Sequence, residues 1–127
     1  MERERESVSA MFGAVPEAAG MARDVLREAL EKWEVRKGAD DAALVLTELV
    51  TNAIRHGTTI SVRVVRERDD ALRLEVADGS RDLPRPRTAS TEDEDGRGML
   101  IVTALALDWG VRPFLGGKTV FALLKVG

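Results

Sequence analysis

The chain has 127 residues, 44% of them hydrophobic and 32% charged, with a net charge of −3; this is the size and mix of one ordinary globular domain. It carries no cysteine and one histidine, which excludes disulfides, thiolate nucleophiles, thiolate metal sites and a multi-histidine zinc site. No basic block suggests direct nucleic-acid binding, and no apolar run approaches the ~20 residues of a membrane span.

The amino terminus, MERERESVSAMFG, lacks the apolar centre of a signal peptide, so a cytoplasmic protein is expected. The alternating Glu and Arg at 2–6 read as a solvated start. Residues 7–12 predict a short strand with Val8 and Phe12 as its apolar points. Pro16 sits where a first helical turn tolerates proline. A helix is expected over 17–33, because Met21, Val25, Leu26, Ala29, Leu30 and Trp33 recur at three- and four-residue spacing. Gly38 breaks it, and Asp40 or Asp41 can cap a second helix with Ala42, Val45, Leu46, Leu49 and Ala53 as its buried stripe. Gly57 is placed to end that helix.

Residues 59–67 alternate with Ile60, Val62 and Val64 on one side, and 71–78 with Leu72, Leu74 and Val76. With Asp69-Asp70 between them they predict a hairpin. Periodicity disappears over 79–96, then Gly98 to Leu107 is apolar and helix-like. Two more strands, 108–114 and 118–126, flank a turn at Gly116-Gly117. There is no internal repeat. This order predicts an α+β protein, a two-layer α/β sandwich with helices on one face of a mainly antiparallel sheet, forming one domain over 1–127.

Four constellations could carry chemistry. Glu48 and Asn52, at i and i+4, share one helix face with Leu44 and, a turn on, Arg55 and His56. A carboxylate and an amide oxygen there can orient a hydroxyl and hold Mg²⁺; alone, they also fit a solvated polar face. Asp78 ends an apolar strand just before Gly79 and Ser80, where a carboxylate can accept a hydrogen bond from an exocyclic amine, or simply form a turn.

The third is the long aperiodic segment RDLPRPRTASTEDEDGRG, residues 81–98. Segments longer than ~12–15 residues inside a compact domain are often lids or disordered insertions. It ends in Gly96-Arg97-Gly98, and a helix opening there would offer free N–H groups to a phosphate, with Arg97 adding a forked charge contact. It is not the dinucleotide fingerprint, whose third glycine would fall on Ile101. The fourth, GGKT at 116–119, is not a P-loop: the required glycine would fall on Arg112, and the residues after Thr119 alternate like a strand. His56 fits a helix-end dipole partner better than a ligand or base.

Taken together in order, ELVTNAIRHG from Glu48, VADGS around Asp78, GRGML from Gly96 and Gly117-Lys118-Thr119 resemble the GHKL superfamily of ATP-binding domains. That group, of the Bergerat fold, includes gyrase, a heat-shock chaperone, histidine kinases and a mismatch-repair ATPase. The chain is most similar to its small bacterial branch, the anti-sigma-factor serine/threonine kinases and actinobacterial regulatory ATP-binding proteins, over roughly 7–126.

The resemblance implies ATP and Mg²⁺ as cofactors. It implies Asn52 as the Mg²⁺ ligand, Glu48 as the carboxylate that activates the attacking hydroxyl, and Asp78 as the acceptor for the adenine amine. Ser80, Gly96, Arg97, Gly98 and Lys118 would also line the nucleotide site, Thr119 would lie near the adenine, and 81–95 would be the ATP lid. Ser80 and Asp82 depart from the glycines of the superfamily's first glycine box. The implied activity is kinase action on an antagonist protein; the alternative is a nucleotide-bound interaction module without transfer activity. The implied partner is a sigma factor or an antagonist protein, with a homodimer as an open assembly. A detached histidine-kinase catalytic domain fits less well, since no phosphoacceptor bundle is present.

Overall fold

The computed structural model describes residues 6–79 and 94–127. Ser80 and most of the expected lid, 81–93, lie outside the described residues, as do the side chains of His56 and 94–98. The element order is β1 (Glu6–Gly13), α1 (Ala18–Lys32), α2 (Ala39–His56), β2 (Thr59–Arg68), β3 (Ala71–Asp78), α3 (Glu94–Leu105), β4 (Asp108–Phe114) and β5 (Gly117–Lys125). The strands form one sheet in the order β1-β2-β3-β5-β4, and all four pairings are antiparallel. The helices pack on one face, with α2 between α1 and α3. This is the two-layer α+β sandwich predicted from the alternating strands.

Strand alternation sets the two faces of the sheet. Ile60, Val62, Val64, Leu72, Leu74, Val76, Val120, Ala122 and Leu124 are buried beneath the helices. Each large apolar side chain so buried contributes about 1.5–3 kcal/mol. The opposite face carries Arg63 against Glu75 at 3.4 Å and Arg73 against Glu67 at 2.8 Å. It also holds Phe121 with the guanidinium groups of Arg73 and Arg112 each 5.0 Å from its ring centre. Charged groups there keep a one-sided sheet wet.

In α1 the inward stripe is Ala18, Ala22, Leu26, Ala29, Leu30 and Trp33. Met21, expected to be inward, is 39% exposed instead. The small side chains of Ala18 and Ala22 take the inner positions of that turn, leaving Met21 on its outer flank. The helix ends in a Schellman motif: Val35 N–H donates to the Leu30 carbonyl at 2.8 Å and Glu34 N–H to the Glu31 carbonyl at 3.1 Å. Glu34 occupies the left-handed position at φ 57°, and Val35 and Leu30, both buried, make its hydrophobic pair.

Gly38, at φ 86°, precedes α2 as its N-cap; the expected side-chain cap from Asp40 or Asp41 is not formed. Both aspartates lie within the first turn of the helix, where they oppose the positive end of its dipole. The β2–β3 turn falls on Asp69-Asp70 as expected. The β4–β5 turn falls on Leu115-Gly116 rather than Gly116-Gly117, with Gly116 at φ 93° and Gly117 already pairing with Phe114. Among the described residues, no helix is long and apolar enough to cross a membrane.

Candidate functional site

Helix α2 carries the first pair of candidate residues. Thr47 marks its side toward α1: Arg23 Nη1 donates to Thr47 Oγ1 at 3.1 Å, and that hydroxyl donates to the Ala43 carbonyl at 2.8 Å. Leu46, Leu49, Val50 and Ala53 turn down to the sheet and are buried. At about 100° per residue, Glu48 and Asn52 fall on the remaining flank, away from α1. Both are half-buried, with Leu44 beside them 43% exposed. The other helix touching α2 is α3. The polar pair is therefore neither core nor fully solvated face.

Asp78 ends β3 on the helix-facing side of the sheet. The backbone register aligns Ile60, Asp78, Lys118 and Pro113 in one row across β2, β3, β5 and β4. Asp78 and Lys118 are the buried charged residues among those described, each 3% exposed. Lys118 Nζ lies 3.1 Å from Asp78 Oδ2 and donates to Oδ1 at 3.3 Å. Two glycines allow the chain to pass close to Asp78. A Cβ on Gly117 would overlap the Asp78 carbonyl oxygen, and one on Gly57 would lie 2.9 Å from Asp78 Cβ. The end of α2 and the end of β3 are thus in contact. Because Asn52 lies five residues before Gly57, it sits about 7.5 Å along the helix from that contact.

Thr119 is not with this group. It pairs with Ala77, and strand alternation puts both side chains on the outer face with Phe121 and Arg112. Its neighbour Lys118 holds the inward position. Sequence matching alone cannot register a strand to one residue, and a shift of one changes the face.

At α3 the helix opens at Glu94 rather than at Gly98. Glu94 and Asp95 suit the positive end of a helix, which favours an earlier start than the glycines suggest. The main chain of Gly96 lies among the leading amides that no helical carbonyl reaches, whereas Gly98, four residues past Glu94, falls in the ladder. Trp109 Nε1 donates to Thr103 Oγ1 at 2.8 Å, tying α3 to β4. No cluster of three or more histidine, aspartate or glutamate side chains that could hold a metal ion exists among the described residues. A cation held mainly by protein is therefore not offered there. Glu48 and Asn52 fit Mg²⁺ in another way, as one or two hard oxygen donors beside substrate phosphates and water.

Residues 12–121 match the model of the histidine kinase-like ATPase domain. The chain belongs to that family. It is a GHKL-type ATP-binding domain. Its fold is similar to the crystal structure of the RsbU and RsbW domains of Rv1364c from Mycobacterium tuberculosis, with a TM-score of 0.70 at 21% identity. That likeness covers 95% of this chain and 32% of the other, so the ATPase domain spans about a third of the length of that structure. None of the curated proteins matches the chain.

Proposed function

We propose that this ATP-binding domain is a regulatory serine/threonine protein kinase of the anti-sigma-factor type, acting on an antagonist protein. The observation that carries the reading is the contact between the end of α2 and the end of β3. It brings the helix of Glu48 and Asn52 against the strand that ends in the Asp78 carboxylate. Membership of an ATPase family supplies the nucleotide, and the likeness to the small regulatory kinases supplies the acceptor.

On this reading Asp78 accepts from the base amine, and the amide of Gly96 faces the phosphates from the leading turn of α3. Asn52, with Glu48 near it, would hold Mg²⁺, which would supply charge neutralisation at the phosphates. Glu48 orients the acceptor's serine hydroxyl and takes its proton as the oxygen bonds to the γ-phosphorus and ADP leaves. Phosphoryl transfer depends mainly on such positioning and charge neutralisation. The physiological consequence would be control of a sigma factor through its antagonist.

A second reading, a nucleotide-bound interaction module that transfers nothing, is favoured by two features. Ser80 and Asp82 stand at glycine-box positions, and a lysine occupies the Asp78 carboxylate. Thermal unfolding with ATP, ADP and GTP, each with and without Mg²⁺, tests the nucleotide site. A ligand at 100 times its dissociation constant adds about 2.7 kcal/mol. No shift with any nucleotide would refute both readings. Radiolabelled ATP with candidate antagonists then separates them: labelled serine supports the kinase, and tight binding without label supports the module.

A further inference from the structure

We infer that Lys118 is an internal competitor for the base-recognition carboxylate, so that a nucleobase binds Asp78 only by displacing the lysine ammonium. This rests on the nucleotide reading above and adds to it the residue that sets how strongly, and how selectively, the base is held.

Three observations converge. First, Lys118 and Asp78 are cross-strand partners in the β3–β5 register, both directed to the helix side of the sheet. The ammonium therefore arrives at the carboxylate from the neighbouring strand and needs no rearrangement of the backbone. Second, the ammonium donates to Asp78 Oδ1 at 3.3 Å and forms an ion-pair contact with Oδ2 at 3.1 Å. An exocyclic amine that donates to Oδ1 competes with Nζ for that oxygen, and one that approaches Oδ2 meets the ammonium 3.1 Å away. Third, the pair is sealed: the side chains are 4% and 1% exposed for Lys118 and Asp78. A base cannot add to the carboxylate from an open side. A base reaches it only when a neighbouring group moves, and the Lys118 ammonium lies against both oxygens.

The chemistry of lysine suits this role. Its ammonium rides on a flexible four-carbon stem and can swing to water when displaced, which a short side chain could not do. Removing a charge partner from a buried carboxylate is destabilising, so the lysine also offsets the Asp78 charge. The amine of the base and the ammonium of Lys118 then compete for the same carboxylate. The net gain from the amine is the difference between two hydrogen bonds to the same carboxylate, not the whole of one. Nucleotide affinity is lowered, and discrimination by the 6-amino group is blunted.

Calorimetric titration with ATP and with inosine triphosphate, which lacks the amine, tests this on the full chain and on Lys118→Thr and Lys118→Arg. The expected result for Lys118→Thr is ATP binding about tenfold tighter or more, with a larger preference for ATP over inosine triphosphate than the parent shows, since a hydrogen bond to a charged group is no longer offset. Lys118→Arg, whose fork holds a carboxylate with two N–H groups, is expected to bind ATP more weakly than the parent. Lys118→Thr binding ATP no better than the parent, while folded by circular dichroism, overturns the proposal and leaves the nucleotide site standing. If Lys118→Thr does not fold, Lys118→Arg decides, and unchanged or tighter ATP binding by it overturns the proposal. Absence of nucleotide binding by the parent and both variants overturns the nucleotide reading itself, and this inference with it.

Discussion

Gly57 and Asp78 meet where helix α2 ends and strand β3 ends. A Cβ at Gly57 would lie 2.9 Å from Asp78 Cβ and 3.2 Å from the Ala53 carbonyl oxygen. The backbone at Gly57 is extended, with φ −119°, a conformation any residue adopts. Space, not conformational freedom, therefore calls for glycine here. The helix that carries Glu48 and Asn52 is held in close contact with the strand that carries Asp78.

Gly57→Ala should accordingly part the two elements. Overpacking of this kind costs about 1–3 kcal/mol, read by urea denaturation. Because the displaced atoms belong to Asp78, nucleotide affinity should fall with stability. An alanine variant as stable as the parent, with unchanged affinity, would show that the contact is dispensable.

Glu48 and Asn52 should separate turnover from binding. General-base assistance is typically worth 10²–10⁴-fold, so Glu48→Gln should reduce phosphoryl transfer by about that range. Binding of ATP should stay nearly unchanged. Asn52→Ala should remove the Mg²⁺ dependence of nucleotide binding in calorimetry. Equal losses of binding and turnover in Glu48→Gln would count against its role with the hydroxyl, and Mg²⁺-dependent affinity retained in Asn52→Ala would remove that residue from the site.

Glu34 offers a stabilising change. It sits at φ 57° in the left-handed position that closes α1, a conformation costing a side-chain-bearing residue roughly 1–2 kcal/mol. Glycine adopts it freely but loses more entropy on folding. Glu34→Gly should therefore raise stability by about 0.5–1 kcal/mol, seen as a higher denaturation midpoint with an unchanged slope. A lower midpoint would mean that the carboxylate side chain contributes more than the strain costs.

Phe121 tests the separation of the two sheet faces. Arg73 and Arg112 flank its ring, contacts worth roughly 0.5–1 kcal/mol each at exposed sites. Phe121→Leu should lose about 1–2 kcal/mol of stability. It lies on the face opposite Asp78 and Lys118, so nucleotide affinity should not change. A large affinity loss, with folding intact, would mean that the outer face communicates with the site.

Much of the fold is legible in the chain itself. The period-2 runs around Val62 and Leu74 face the core as predicted, since a strand with one buried side must alternate. The three- and four-residue spacing of Leu26, Ala29, Leu30 and Trp33 likewise marks one buried helix stripe. Glu48, Asn52 and Asp78 stand out because polar groups interrupt or end apolar segments there. Met21 and, one turn on, the half-buried Val25 are the exceptions in the predicted stripe of α1. Both satisfy the same spacing as their neighbours, and only the close approach of Ala18 and Ala22 to the core decides which flank turns inward.

Local spacing and composition by themselves determined the elements, their faces and the family pattern, because those are properties of a few neighbouring residues. The tertiary structure alone decided three other matters. It placed β5 between β3 and β4, so that residue 118 became the partner of Asp78. It assigned the inward position to Lys118 and the outer one to Thr119, a register that one residue of slip would reverse. And it brought Gly57 against Asp78, twenty-one residues apart in sequence. These are pairings between distant segments, and the free energy that selects them comes from packing the whole sheet under its helices rather than from any local preference.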